Sequence, residues 1–219
     1  MAPDSRRELL RVSEIFHSLQ GESTRVGLPT VFVRLTGCPL RCVWCDSAYA
    51  FSGGTSMSAA AVLAAVAAYA CGTVCVTGGE PLAQPACLDL LARLCDAGYA
   101  VSLETSGALD IAAVDPRVLR VMDLKAPASG EAGKNRWENL AHLRPADEIK
   151  FVLASADDYA WACDCLRSRR LDAICNVLFA PVQDQLDPAL LADWILRDRL
   201  PVRFQLQLHK ILWGNARGR

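Results

Sequence analysis

Apolar runs rich in β-branched residues alternate along this chain with longer segments of helical periodicity. Residues 31–35, 73–77, 100–104, 118–124, 148–153 and 175–179 read as strands, and 203–208 as a last short one. Residues 57–69 form an alanine-rich helical pattern with Ser56 or Ser58 as cap, and 87–97 form a second, stopped by Gly98. Further helices are predicted over 156–169 and over 188–197, the latter opening with Pro188. Continuous apolar strands separated by helices indicate a parallel sheet covered on both faces. With about six βα units, the pattern falls short of a closed eight-fold barrel. The expected fold is therefore α/β, a partial, open TIM-like barrel in one domain spanning 1–219. The polar motifs fall just after predicted strands, on the face where such folds place their sites.

Composition narrows the class. A net charge of −1 over 219 residues gives no global field toward nucleic acid or an acidic membrane. Ten cysteines would suggest disulfides in a small secreted domain, but residues 1–8 lack the apolar stretch of a leader. The apolar segment 59–70 is too short to span a bilayer. A reducing cytoplasm is expected. Cys71, Cys75, Cys87, Cys95, Cys163, Cys165 and Cys175 lie within periodic apolar segments and read as core thiols.

The remaining cysteines differ. Cys38, Cys42 and Cys45 stand in the loop Gly37-Cys38-Pro39-Leu40-Arg41-Cys42-Val43-Trp44-Cys45-Asp46. A structural zinc site takes four protein ligands, and a plain electron-transfer cluster is usually held by four thiolates. Three thiolates would hold three corners of a 4Fe–4S cluster and leave one iron open to a ligand carrying an amine and a carboxylate. S-adenosylmethionine is such a molecule. The bland alternatives are zinc completed by a distant ligand, or buried apolar thiols. The loop resembles the signature of the radical S-adenosylmethionine enzymes, down to Trp44 before the last cysteine.

Other motifs sit in register with it. Thr77-Gly78-Gly79-Glu80-Pro81 exposes backbone through paired glycines and supplies a carboxylate that can accept from an ammonium group. Its plain alternative is a strand-end turn. Glu104-Thr105-Ser106-Gly107 reads as another ligand-facing loop. Asp123-Leu124-Lys125 offers a cation, or a solvated strand end, and Ala180-Pro181-Val182-Gln183 offers backbone groups. Lys150, early in its strand, reads equally well as an ordinary ion-pair partner. Upstream, Gln20 and Glu22 in Ser18-Leu19-Gln20-Gly21-Glu22-Ser23 could read the amide and amino edge of a guanine-like or pterin ring. Arg34 suits a substrate carboxylate. A turn and a surface ion pair are the respective alternatives.

Together with Phe-Val-Arg-Leu-Thr-Gly-Cys, Glu-Ile-Lys-Phe-Val and Leu-His-Lys-Ile-Leu-Trp near the end, these motifs resemble the 7-carboxy-7-deazaguanine synthases of queuosine and 7-deazapurine biosynthesis. The resemblance implies a lyase that contracts 6-carboxy-5,6,7,8-tetrahydropterin to 7-carboxy-7-deazaguanine with loss of ammonia. In that family, cofactor cleavage at the reduced cluster gives a 5′-deoxyadenosyl radical that abstracts the C6 hydrogen, and hydrogen return regenerates the cofactor. The cofactor carries the difficult chemistry and the protein orients it.

Carried onto this chain, the resemblance gives the cluster to Cys38, Cys42 and Cys45. It places Leu19, Gln20, Gly21, Glu22, Arg34, Thr105 and His209 around the substrate. Trp44, Cys45, Asp46, Gly79, Glu80, Gly107 and Lys125 would contact S-adenosylmethionine. Magnesium would fall to Ser47, a hard-oxygen ligand where the family has threonine. A homodimer and a flavodoxin or ferredoxin-type reductant are also implied. Ser23 replaces a common glycine, Asp123-Leu124 replaces a common Ser-Pro, and the tail beyond Lys210 is extended. A rival within the superfamily, an activase making a glycyl radical on a partner protein, would show no Gln20/Glu22 pair.

Overall fold

The computed structural model describes residues 9–214 and 216–219; the N-terminal segment read above for a leader lies outside them. Among the described residues, nine strands form one sheet in the order β3-β1-β2-β4-β5-β6-β7-β8-β9. The strands are β1 (Leu9–Leu19), β2 (Pro29–Leu35), β3 (Thr55–Ser58), β4 (Thr73–Gly78), β5 (Ala100–Thr105), β6 (Leu119–Leu124), β7 (Glu148–Leu153), β8 (Asn176–Pro181) and β9 (Arg203–Phe204). From β2 to β9 neighbours are parallel and follow chain order, and β1 runs antiparallel to both β2 and β3. The order never reverses, so successive crossovers wind in one sense, as in a barrel. β3 and β9 remain the two edges, and the barrel is open.

The helices are α1 (Ala59–Ala67), α2 (Ala86–Asp96), α3 (Ala156–Arg169), α4 (Pro188–Arg197) and α5 (Leu208–Trp213). Ser58 caps α1 by accepting from the Ala61 N–H, and Ser155 caps α3 through the Asp158 N–H. Gly98 follows α2 at φ 86°, the left-handed conformation a glycine adopts without strain. Val33, Val76, Leu103, Met122, Ile149 and Phe179 from the strands meet Val66, Leu90, Leu94, Leu166 and Leu191 from the helices in one apolar layer.

Strand alternation sends the intervening residues to the opposite, concave face. There Arg34, Thr77, Glu104, Asp123 and Lys150 line an internal cavity. Thus one period-2 pattern builds both the core and the site.

The structure departs from the sequence reading in four places. β1 is a full strand, so Gln20-Gly21-Glu22 follows a strand where the sequence suggested that it precedes the first one. Residues 55–58 pair with β1 before the helix starts. No α-helix joins β5 to β6 or β6 to β7; the latter link is made of short 3-10 turns. Finally, β9 ends at Phe204, and Leu208 begins α5.

Candidate active site

The cysteine loop leaves the end of β2 and is braced from several sides. The Glu131 carboxylate accepts from the Arg41 N–H at 2.5 Å, and the Ser129 carbonyl accepts from the Val43 N–H at 3.1 Å. The Arg41 guanidinium donates back to the Cys38 and Leu40 carbonyls, at 2.8 and 2.7 Å. It also lies over the Phe51 ring, 4.2 Å from its centroid. Behind the loop, Gly79 packs so closely that a Cβ there would sit 1.9 Å from the Gly37 carbonyl oxygen. Glycine is required at that approach.

Cys38, Cys42 and Cys45 all line a cavity of about 690 Å³. All ten cysteines are free thiols, and Cys75, Cys87, Cys163, Cys165 and Cys175 are buried. Burial pushes the Cys38 and Cys42 thiols above their ordinary values. The Leu40 N–H, which donates to Cys38 Sγ at 3.4 Å, opposes this at Cys38, and the Lys125 ammonium opposes it at Cys42. Such thiols bind metal by releasing protons. Three thiols on one cavity wall, with an amide donor and a nearby cation, are chemically a fitting donor set for an iron–sulfur cluster with one open iron.

The opposite end of the cavity is closed by the segment after β1. Because β1 is antiparallel to β2, its C-terminal end lies at the N-terminal mouth of the parallel strands. Thr24 donates from its N–H to the buried Glu148 carboxylate at 3.0 Å, which anchors this segment to β7. Gln20 is buried; its Nε2 donates to Glu104 at 3.4 Å and its Oε1 accepts from the Glu22 N–H at 3.2 Å. The Glu22 carboxylate meets the Lys150 ammonium and accepts from Gln207 Nε2 at 2.5 Å. Burial alone would raise the Glu22 carboxyl, but Lys150 and Gln207 hold it at about 2. Burial raises Glu104 above the usual carboxylate range, with the Glu22 charge adding to it.

α5 seals this end. The Leu208 N–H donates to the Gly21 carbonyl at 3.0 Å, and the His209 ring lies so close that a Cβ on Gly21 would be 2.2 Å from Nδ1. Lys210 then reaches Asp46, beside Cys45, at 3.3 Å. Arg34 projects into the cavity from β2, its Nε donating to Glu14 at 2.7 Å. Tyr49 donates to the same oxygen, and burial pushes its hydroxyl up to about 12. Arg217 of the tail lies over the Tyr49 ring, 4.1 Å from its centroid.

Most residues singled out from the sequence share this cavity wall: Leu19, Gln20, Gly21, Glu22, Arg34, Trp44, Asp46, Ser47, Gly79, Thr105, Lys125 and His209, with the three cysteines. Glu80 and Gly107 do not line it. The fully buried Glu80 carboxylate accepts from Leu82 N, Thr105 Oγ1, Ser106 N and Ser106 Oγ, so it holds the loop after β5. Gly107 has φ 71°, and a Cβ there would press on Met122 Cγ at 3.0 Å. Glu104, Asp123 and Lys150 also line the cavity, although the sequence reading gave none of them to the cluster, the cofactor, the substrate or the metal. Their inward position on alternating strands was the available signal.

Residues 32–124 match the model of the radical SAM superfamily. A 7-carboxy-7-deazaguanine synthase of Chlorobaculum tepidum is 48% identical over 95% of this chain and 97% of that protein. The chain belongs to the 7-carboxy-7-deazaguanine synthase family. A synthase of Koribacter versatilis is 44% identical over 93% of this chain and 97% of its own length. The crystal structure of QueE from Escherichia coli shares the fold, with a TM-score of 0.78 at 22% identity over 95% of this chain and all of that one. SuiB of Streptococcus suis, solved bound to S-adenosylmethionine, matches with a TM-score of 0.54 at 14% identity, over 78% of this chain and 45% of that one. This synthase family member is thus a radical S-adenosylmethionine enzyme, and its family uses a 4Fe–4S cluster and S-adenosylmethionine. Among the described residues, no helix is long and apolar enough to cross a membrane.

Proposed function

We propose that this enzyme contracts 6-carboxy-5,6,7,8-tetrahydropterin to 7-carboxy-7-deazaguanine with release of ammonia. The observation that carries this reading is one cavity lined by both the cysteine loop and Gln20-Gly21-Glu22 with His209. Cys38, Cys42 and Cys45 would hold the 4Fe–4S cluster. When bound, the cluster and S-adenosylmethionine supply reductive cleavage and hydrogen-atom abstraction at the substrate's C6. Everything else falls to positioning.

Glu22, ionised and acceptor-only, takes N–H donors of the pterin ring, and Gln20 lies beside it with its amide oriented by Glu104. Arg34 keeps its positive charge although burial opposes it, as a guanidinium paired with the Glu14 carboxylate. It can turn a guanidinium N–H toward the substrate carboxylate. Thr105, with its hydroxyl hydrogen bonded to Glu80, and Leu19 and His209 complete the substrate wall. Gly79, Lys125 and the backbone of residues 44–46 face S-adenosylmethionine. Glu80 serves it indirectly, by fixing Thr105 and Ser106.

Ser47 is the proposed magnesium ligand; its hydroxyl lies 3.9 Å from Cys45 Sγ on the cavity wall. A homodimer, a flavodoxin or ferredoxin-type reductant and a cytoplasmic setting follow from the family reading and from the unpaired thiols. Anaerobic turnover of the pterin, with and without magnesium, tests the proposal. Cleavage of S-adenosylmethionine without any deazaguanine would favour an activase instead.

A further inference from the structure

We propose that Lys150 is a positioning residue for substrate recognition, holding Glu22 in place as an acceptor-only carboxylate. This rests on Glu22 reading the substrate, as proposed above. Lys150 sits on the inner face of β7, 7% exposed, beside Asp123 of β6 in the sheet register. Its ammonium donates to Glu22 Oε2, from a residue 128 positions away, and lies 3.7 Å from Asp123 Oδ2. Glu22 Oε1 takes Gln207 Nε2. Each oxygen therefore has one protein donor and keeps a free lone-pair direction for a ligand N–H.

A buried carboxylate without a cation takes up a proton, and its O–H would then oppose a ligand edge made of donors. Lys150 prevents that. The groups facing the pair divide: His209 from α5 favours the charged carboxylate, Glu104 from β5 and Asp123 from β6 favour the charged ammonium, and Lys125 at the end of β6, a second cation, opposes the ammonium. Burial would lower the Lys150 ammonium, yet Asp123, Glu22 and Glu104 keep it well above its ordinary value. The pocket is thereby specific for ring edges bearing paired N–H donors, such as an aminopyrimidinone.

The test is binding of 6-carboxypterin, a stable oxidised analogue, to the full reconstituted chain between pH 5 and 8, with thermal melting as a folding control. Lys150→Met should weaken binding at pH 7 by about tenfold or more. It should also introduce an acid limb inside that window, because Glu22 would then titrate above its ordinary value. Lys150→Arg should restore most of the affinity and remove the limb. Wild-type affinity and pH profile in Lys150→Met, or a pH-independent loss that Lys150→Arg fails to repair, would overturn the proposal.

Should Lys150→Met fail to fold, Glu22→Gln alone and combined with Lys150→Met supplies the second measurement, since removing both partners of a buried pair is tolerated better than removing one. The double variant should bind no more weakly than Glu22→Gln, and a further tenfold loss would overturn the positioning role. Wild-type affinity in Glu22→Gln would instead sink the reading of Glu22 itself, which separates the two failures.

Discussion

Replacing Gly79 with alanine should damage the cluster site from behind. A Cβ at this position lies 1.9 Å from the Gly37 carbonyl oxygen, 2.6 Å from its carbon and 3.3 Å from the Cys38 nitrogen. All three are backbone atoms, so no side chain can swing away. Restoring ordinary contact needs a shift of about 1.5 Å. The Gly37 carbonyl is held by the Glu80 N–H at 2.7 Å, and the Gly37 N–H donates to Ala50 at 2.8 Å. Overpacking of this kind costs about 1–3 kcal/mol, and the lost hydrogen bond about 0.5–1.5 kcal/mol more. The expected total of about 2–4 kcal/mol corresponds to a melting temperature about 5–15 °C lower for a chain of this size. Because the displaced carbonyl precedes Cys38, iron and sulfide content after anaerobic reconstitution should fall as well. Wild-type melting together with wild-type iron content in Gly79→Ala would refute the reasoning.

Other substitutions probe the supporting structure. Glu80→Gln replaces a carboxylate that accepts from four donors with a group whose NH₂ opposes one of them, and should cost about 2–3 kcal/mol by thermal unfolding. Unchanged melting would contradict its role as the anchor of Thr105 and Ser106. Asp147, fully buried, accepts from Arg120 and Arg144, which hold its carboxyl below the usual range although burial opposes them. Its contribution is fully present above the unfolded value of about 3.9 and is lost as pH falls through the lower folded value. Asp147→Asn should therefore cost about 3–5 kcal/mol at pH 7, with the gap to wild type narrowing toward pH 2–3 in acid melts. Ser23 adopts φ 70° and accepts from the Arg25 N–H, so it keeps a backbone conformation that glycine adopts freely. Ser23→Gly should change stability by less than about 1 kcal/mol, whereas Ser23→Val should cost about 1–2 kcal/mol, both read by denaturant melts.

The parallel strands were legible because each is a short apolar run bounded by turn residues, and β7, α3 and α4 have the bounds that periodicity predicts. β1 was not, because a bulge between Val12 and Glu14 breaks its alternation and polar His17 and Ser18 interrupt it. Ser56-Met57-Ser58 pairs as β3 although it reads as a helix start, since pairing with Leu9–Val12 outweighs local preference. The missing helices between β5 and β7 leave a segment tied by Asn135, Asn139 and Glu131, whose partners lie 10, 32 and 90 residues away. In the site, the cysteines and the Gln20–Glu22 segment could be named from spacing and resemblance. That Glu22 meets Lys150, and that Glu80 faces away from the cavity, depends on how β1, β4, β5 and β7 come together. Local sequence carries no record of that.

Anaerobic reconstitution followed by turnover of 6-carboxy-5,6,7,8-tetrahydropterin, in the wild type and in Cys42→Ala side by side, decides whether this cavity does radical chemistry on a pterin. The wild type should hold about four irons and four sulfides per chain and yield 7-carboxy-7-deazaguanine and ammonia, while Cys42→Ala should yield none. A colourless zinc-bearing wild type, or a Cys42→Ala enzyme of full activity, would contradict the assignment of both the cluster and the reaction.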